Sequence, residues 1–220
     1  MTAQKPRGHR LIIGWSAGAL THAPSHKYGG FPSTGAALPK CSGCGQPHHL
    51  LFEIDLTDPQ LAYLGLSGVH YLFITSCLDC ATYEHVTYYS LDGEGREVTV
   101  LQESPSVYVP QYPHPLDERP VSCRPLYDNE YPVSDDAVAA MLSQEGKHQL
   151  GGIPIWVQHA MRIPCLSCGL EMQYIAMVDS ELYVGEDGFR DRGHMFGDEG
   201  TLYVFVCRDC GVFAAKAQGL

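Results

Sequence analysis

The chain has 220 residues, 45% of them hydrophobic and 18% charged, and its 25 acidic side chains against 14 basic ones give a formal net charge of −11. This length suits one large domain or two small ones. The acidic balance repels phosphate backbones, which argues against nucleic-acid binding and favours a basic protein as partner.

Residues 1–24 form an N-terminal segment with a candidate nucleophile. A Gly-x-Ser-x-Gly pattern spans residues 14–18 and follows the strand-like run at residues 11–13. In an α/β-hydrolase such a turn exposes the serine, here Ser16, above a sheet. Only 13 residues precede the pattern, too few to build that sheet. A hydrolase using Ser16 is therefore the alternative interpretation.

The nine cysteines are the most informative feature of the sequence. Eight form four Cys-x-x-Cys pairs, here called knuckles, and Cys123 stands alone. A knuckle lets two thiolates converge on one ion from a tight turn, as tetrahedral zinc requires, so the sequence predicts two structural Zn²⁺ ions. Iron fits the same four-thiolate geometry. The predicted metal ligands are Cys41, Cys44, Cys77, Cys80, Cys165, Cys168, Cys207 and Cys210.

Disulfides in a secreted protein are the other interpretation of these cysteines. The odd total and the close spacing within each pair argue against it, and the apolar run at residues 11–15 is too diluted by polar residues for a signal peptide. We therefore expect a cytoplasmic protein. No run of about 18 apolar residues occurs, so we expect no membrane-spanning segment.

The knuckles lie inside a repeated order of motifs. His-x-x-Gly-Gly-x-Pro occurs at residues 26–32 and again at 148–154, an offset of 122. The run YLFITSCLDC at residues 71–80 matches TLYVFVCRDC at 201–210, an offset of 130. Pairing of knuckles within each repeat is the interpretation we favour, although spacing alone also lets the first knuckle share an ion with the last. The predicted organisation is an N-terminal segment at 1–24, a first repeat at 25–92, a connection at 93–146 and a second repeat at 147–220, the repeats sharing one compact domain.

Each repeat is predicted to be a small β unit. The connection between them is rich in proline from residue 104 to 132, which favours extended and turn conformations. A short helix is predicted to begin after Ser134 as N-cap, with acidic residues in its first turn, and to end at Gly146. Short apolar runs predict strands at residues 50–56, 69–75, 174–178 and 202–206.

Several polar residues recur at matching positions of the two repeats. His26 and His148 open the repeated motif, and we expect each to fix the chain by hydrogen bonding to the backbone. Asp79 and Asp209 lie inside knuckles and are expected to cap the turns. His49 could replace a thiolate, but a full set of four cysteines leaves it unnecessary. A loop of acidic residues is a candidate docking surface for a basic segment: Glu181, Glu186, Asp187, Asp191, Asp198 and Glu199.

The second repeat carries His148-x-x-Gly151-Gly152-x-Pro154-x-Trp156 and the run from Gly200 to Cys207. With these residues the chain resembles the bacterial YwqG-like family of unknown function and its relatives among the programmed-cell-death-protein-2-like proteins. The resemblance extends over about residues 25–216, more loosely in the first repeat, where Thr34 stands in place of Trp156. It implies a duplicated, mainly β fold without established enzymatic activity, and its eukaryotic members resemble chaperones of a basic ribosomal protein.

These observations combine into one expectation. The predicted fold is α+β and mainly β, with duplicated β units related by an approximate two-fold axis, each carrying a zinc-ribbon-like site of four cysteines. The predicted function is a non-enzymatic zinc-binding module that binds a basic protein as a chaperone or adaptor. With four thiolates around each ion no coordination position is left for water or substrate, so the metal sites are expected to be structural.

Overall fold

The structure is a computed structural model that describes residues 5–14, 25–80, 82–91, 97–106, 112–142, 146–184, 190–197 and 200–219. Within these ranges it contains thirteen β-strands and one α-helix, α1, at Asp135–Leu142. The strands are β1 (Gly8–Ile13), β2 (His26–Tyr28), β3 (His49–Asp55), β4 (Tyr71–Ser76), β5 (Thr87–Leu91), β6 (Val98–Gln102), β7 (Arg119–Leu126), β8 (Gln149–Gly151), β9 (Gln173–Asp179), β10 (Glu181–Val184), β11 (Arg190–His194), β12 (Thr201–Cys207) and β13 (Val212–Gln218).

Eleven of these strands form a single antiparallel sheet. Their order is β4-β3-β2-β7-β1-β8-β9-β12-β13-β5-β6, while β10 and β11 pair separately. The first four strands and the next four mirror one another about the β7–β1 pair. On each side a short strand with its Gly-Gly turn comes first, then a long strand, then the strand that carries the second knuckle. The strands predicted from apolar runs correspond to β3, β4, β9 and β12 and are confirmed.

The sheet is strongly curved and nearly closes on itself. The hydroxyl of Tyr89 on β5 donates a hydrogen bond to the carbonyl of Thr75 on β4, at 3.0 Å, although these strands lie near opposite ends of the strand order. Side chains of β4, β5, β6 and β13 line one small apolar space. The larger core draws residues from both ends of the sheet, including Ile74 and Val98, and is enclosed by the curve.

A second, smaller core covers the outer face of the second half. Alternate residues of β12 divide between the two cores, with 202, 204 and 206 in the larger and 203, 205 and 207 in the smaller. This period of two is the geometry of a strand whose two faces are both buried. The loop after β8, through Trp156 and Ile163, and the apolar face of α1 complete the smaller core.

The predicted helix is present. The side chain of Ser134 accepts a hydrogen bond from the amide of Ala137 at 3.3 Å, which satisfies one of the free N–H groups of the first turn. The described helix ends at Leu142, and Gly146, the residue predicted to end it, has a φ of +69°. The remainder of the connection differs from the prediction in one respect, because it also supplies β6 and the central strand β7.

Candidate metal centres

The structure brings the eight paired cysteines together as two groups of four. The first centre consists of Cys41, Cys44, Cys77 and Cys80, and the second of Cys165, Cys168, Cys207 and Cys210. Within each group all four Sγ atoms lie within 4.8 Å of one another. Knuckles therefore pair within a repeat, and the first knuckle does not meet the last.

The distances between sulfur atoms suit a tetrahedral ion. In the first centre 3.8 Å separates Sγ of Cys44 from Sγ of Cys77, and in the second 3.8 Å separates Sγ of Cys168 from Sγ of Cys207. Four sulfurs held about 2.3 Å from zinc stand about 3.8 Å apart along the edges of the tetrahedron. A disulfide needs about 2.05 Å, and all nine cysteines are free thiols. Each group could hold a metal ion.

Strand pairing explains why the two knuckles of a repeat meet. In the first half, β3 begins five residues after the first knuckle, and its residue His49 pairs with Ser76, the last residue of β4. The second knuckle follows Ser76 directly, so the antiparallel ladder places both knuckles at one end of the hairpin. In the second half the start of β9 pairs with Val206 at the end of β12 in the same way.

The first knuckle of each half is closed by the same backbone hydrogen bonds. The amide of Gly45 donates to the carbonyl of Cys41 at 2.9 Å, and the amide of Gly169 donates to that of Cys165 at 2.9 Å. Both glycines have positive φ, +73° and +74°, a conformation that glycine adopts without strain. The turn also directs the amide of Gly43 to Sγ of Cys41 at 3.3 Å. Such N–H groups favour the thiolate form that binds a metal.

In each centre the electrostatics favour the thiolate form of one cysteine and oppose that of two others. Burial disfavours the Cys41 thiolate, but the neighbouring His48 imidazole and two backbone amides outweigh it and lower the Cys41 pKa to about 6. In the second centre, burial of Cys165 is likewise outweighed by backbone amides, and its pKa falls to about 7. Burial and neighbouring thiols raise the pKa of Cys80 to about 12. A divalent cation would supply the charge that lets all four thiols ionise together.

The connection covers the first centre and braces one of its thiols. Nε2 of His48 lies 3.1 Å from a carboxylate oxygen of Glu103, and both side chains are almost fully buried. The other oxygen of Glu103 accepts a hydrogen bond from the amide of Ser42, inside the knuckle. One donor atom each of Cys41, His48 and Glu103 lie within 4.8 Å of one another. Glu103 thus holds both the knuckle backbone at Ser42 and the imidazole of His48, which lies beside the Cys41 thiol.

Further contacts hold the connection against both knuckles of the first half. The amide of Ser106 donates to the carbonyl of Cys80 at 2.9 Å. The ring of Pro105 lies so close to Gly43 that a Cβ there would be 2.9 Å from it. The amide of Tyr112 donates to the carboxylate of Asp79 at 3.2 Å. Asp79 therefore ties the connection to the knuckle, a role beyond the turn cap predicted for it.

The second centre is more open. Cys168 and Cys210 are exposed, whereas Cys41, Cys77 and Cys80 of the first centre are buried. At the position that His48 occupies in the first half, the second half has Met172, an apolar residue of the smaller core. The two centres share their cysteine geometry and differ in what surrounds it.

The two repeated histidines act as predicted. Nδ1 of His26 accepts a hydrogen bond from the amide of Asp55 at 3.1 Å, and Nδ1 of His148 accepts one from the amide of Asp179 at 3.1 Å. The other ring nitrogen, Nε2, faces a carboxylate: that of Asp58 at 3.3 Å from His26, and that of Glu181 at 3.0 Å from His148. Each histidine joins the short first strand of its half to the end of the long strand.

Sequence reasoning missed several buried polar groups. His48 directly precedes β3 and the predicted thiolate substitute His49 begins it, so their adjacency could have indicated that the two rings face opposite sides of the chain. Glu103 and His114 lie in the connection, where no local pattern marks them. Lys147 and Asp179 form a buried ion pair at 2.8 Å, which joins the start of β8 to the end of β9.

Other candidates lie apart from the metal centres or outside the described residues. Ser16 of the Gly-x-Ser-x-Gly pattern lies outside them, and so does most of the acidic loop predicted as a docking surface. Cys123 on β7 is half-buried, and burial raises its pKa to about 12, which leaves a protonated thiol at neutral pH. No helix among the described residues is long and apolar enough to cross a membrane.

Comparison with protein-family profiles and with curated sequences finds no relative. The chain matches no protein-family profile, and no curated protein matches it in sequence. The resemblance to YwqG-like proteins stays a prediction.

Proposed function

We propose that this chain is a non-enzymatic, zinc-binding protein-interaction module with two structural Zn²⁺ ions. The observation that carries the proposal is the convergence of four thiols in each of two groups. Four protein ligands close a tetrahedral site, so such an ion stabilises the fold and leaves no position for a substrate. Thiolates also bind iron, and metal content is therefore the first quantity to measure.

The same proposal treats the two halves as a duplicated zinc-ribbon-like unit. Its support is the recurrence of matching contacts at matching positions. Each half has a histidine that accepts from the amide ending the long strand, at 3.1 Å. Each has two successive glycines of positive φ at the end of its first short strand. In each, one isolated β-bridge joins a residue just before the first knuckle to a residue just after it. Two unrelated segments would not be expected to share all of these contacts and backbone conformations.

The proposed partner is a basic protein, which the chain would serve as a chaperone or adaptor in the cytoplasm. The support is electrostatic: a formal net charge of −11 counts every thiol as neutral. Eight thiolates with two divalent ions would make the loaded chain four charges more negative. Complementary charge raises association rates and selects partners. Free thiols are typical of a reducing compartment. The predicted kinship with YwqG-like proteins belongs to the same proposal.

Metal analysis tests the first half of the proposal. We expect native mass spectrometry and elemental analysis to find two zinc ions per chain. Cys77→Ser and Cys207→Ser should each lose one ion, whereas Cys123→Ser, a matched control outside both centres, should keep two. Iron in place of zinc, or metal-free protein with disulfides, would contradict it.

Partner capture tests the second half. Zinc-loaded chain immobilised in its own cell lysate should retain a basic protein that is released as salt concentration rises, because salt screens exposed charges. A control chain with its exposed acidic residues replaced by the corresponding amides should retain less of the same protein. Recovery of no basic protein, or of a partner insensitive to both salt and these replacements, would count against the proposal.

A further inference from the structure

A second type of donor cluster lies beside the first centre. It consists of His49 at the start of β3, Asp79 between the two cysteines of a knuckle, and His114 in the connection. One donor atom from each residue lies within 4.8 Å of the others. Nε2 of His114 is 3.3 Å from Oδ2 of Asp79, and the two imidazole rings have centroids 3.6 Å apart. Three segments distant in sequence therefore converge on one point.

The cluster contains a buried nitrogen whose hydrogen-bonding capacity is unused. Nδ1 of His49 accepts a hydrogen bond from the amide of Leu78 at 3.3 Å. Its Nε2 is buried and has no hydrogen-bond partner among the described residues, while the whole residue is 1% exposed. Buried polar atoms in folded proteins are nearly always paired. A buried imidazole with one unpaired nitrogen, in a residue that clusters with a carboxylate and a second imidazole, points to a ligand that the three residues share.

We propose that His49, Asp79 and His114 form a third metal site, which binds a divalent cation of the borderline class, such as Zn²⁺, Co²⁺ or Ni²⁺. Two imidazoles and one carboxylate are the donor set that such cations accept. The donor atoms need to close from within 4.8 Å to about 3.3 Å, the edge of a tetrahedron with bonds of about 2.05 Å. On binding, the ring proton of His49 moves from Nε2 to Nδ1, and the long hydrogen bond from Leu78 is given up.

This site would differ in kind from the two thiolate centres. Three protein donors leave at least one coordination position for water, and the side chain of His114 is 29% exposed, so solvent reaches the ion. The ion would therefore exchange more readily than one held by four thiolates. In one respect the inference rests on the proposed function, because a first centre with four thiolates and one Zn²⁺ has a net charge of −2 that attracts a further cation.

Cobalt titration of the full-length chain, prepared with two zinc ions bound, tests the site. We expect one further equivalent of Co²⁺ to bind, with visible d–d absorption and without the near-ultraviolet thiolate-to-cobalt charge transfer that a cysteine centre produces. His114→Ala should abolish this equivalent and keep two zinc ions. His70→Ala, which removes another exposed histidine, should retain it. Asp79→Asn is a second variant, should His114→Ala fail to fold.

The outcomes separate this inference from the proposed function. No further Co²⁺ in a protein that holds two zinc ions would overturn the third site and leave the thiolate centres standing. Thiolate charge transfer with release of zinc would show exchange at a cysteine centre, and this also overturns the third site. If the His114→Ala variant binds the further equivalent of Co²⁺ as well as the parent chain does, the third site is also overturned. Fewer than two zinc ions at the outset would count against the proposed function itself.

Discussion

Removal of the Glu103 carboxylate should weaken metal binding at the first centre alone. This carboxylate accepts hydrogen bonds from the amide of Ser42 and from Nε2 of His48, and it is 2% exposed. These hydrogen bonds outweigh burial and lower the pKa of Glu103, so it is ionised at neutral pH. In Glu103→Ala both donors lose their acceptor, and His48 is no longer held against Cys41.

The size of the effect follows from the position of Glu103 behind a metal ligand. Replacement of residues that orient a ligand weakens metal affinity by about 10- to 100-fold, or about 1.4–2.7 kcal/mol. The second centre has Met172 where the first has His48, and so has no imidazole held in this way. It therefore serves as an internal reference within the same molecule.

Cadmium-substituted protein allows the two centres to be followed separately. A ¹¹³Cd spectrum should show one resonance per thiolate centre, and competition with a chelator should remove the first-centre resonance of Glu103→Ala at about 10- to 100-fold lower chelator concentration than in the parent. Glu171→Ala is the matched control, because Glu171 follows the first knuckle of the second half closely in the chain and its side chain is 60% exposed. Equal weakening of both centres, or an unchanged first centre, would refute the reasoning.

Three further predictions follow from burial and backbone geometry. Mild peroxide should oxidise the exposed thiols of the second centre before those of the first, as peptide mass mapping would show; simultaneous oxidation would contradict it. Gly152→Ala should lower the free energy of unfolding by several kcal/mol, since Gly152 has a φ of +75° and a Cβ would lie 1.9 Å from the Tyr131 hydroxyl. Gly35→Ala, at a φ of +73° with open space around it, should cost only about 1 kcal/mol; equal losses in urea denaturation would rule out the steric argument. Burial and the nearby His148 hold the pKa of His194 well below its usual value. Below about pH 6.5 His194 is therefore protonated in the unfolded chain but not in the folded chain. The contribution of His194 to the free energy of unfolding should be level above about pH 6.5 and fall below it. His194→Gln should flatten this slope in zinc-loaded protein and His159→Gln should not.

The sequence predicted the strands that bury both faces and the cysteine groups they carry, because apolar runs and Cys-x-x-Cys spacing are local signals. It missed β7 for an equally physical reason. Pro120 and Pro125 within that strand cannot donate to a ladder, which made the segment read as extended or turn. In the structure Pro120 lies in the short ladder that joins residues 119–121 to β2, and Pro125 lies one residue from the end of the ladder that joins residues 121–126 to β1.

Contacts between distant segments were beyond prediction from one sequence. Glu103 and His114 reach the first centre from a proline-rich connection without periodicity, and only the folded chain shows that they lie beside His48 and His49. The pairing of β5 with β13 is another case. In the second half β13 follows its knuckle strand as a hairpin, whereas β5, which follows the first-half knuckle strand, leaves β4 and pairs with β13 instead.

This arrangement has a consequence for folding during synthesis. All ligands of the first centre, and the segment that covers it, lie within the first 114 residues. If the centre binds metal as proposed, a ribosome-bound chain could load the ion while β8, β9, β12 and β13 are still untranslated. The curve of the sheet closes only when residues 212–215 reach β5. We expect the nascent chain to pass through a metal-held intermediate with unpaired strand edges, which is the stage at which cellular chaperones would meet it.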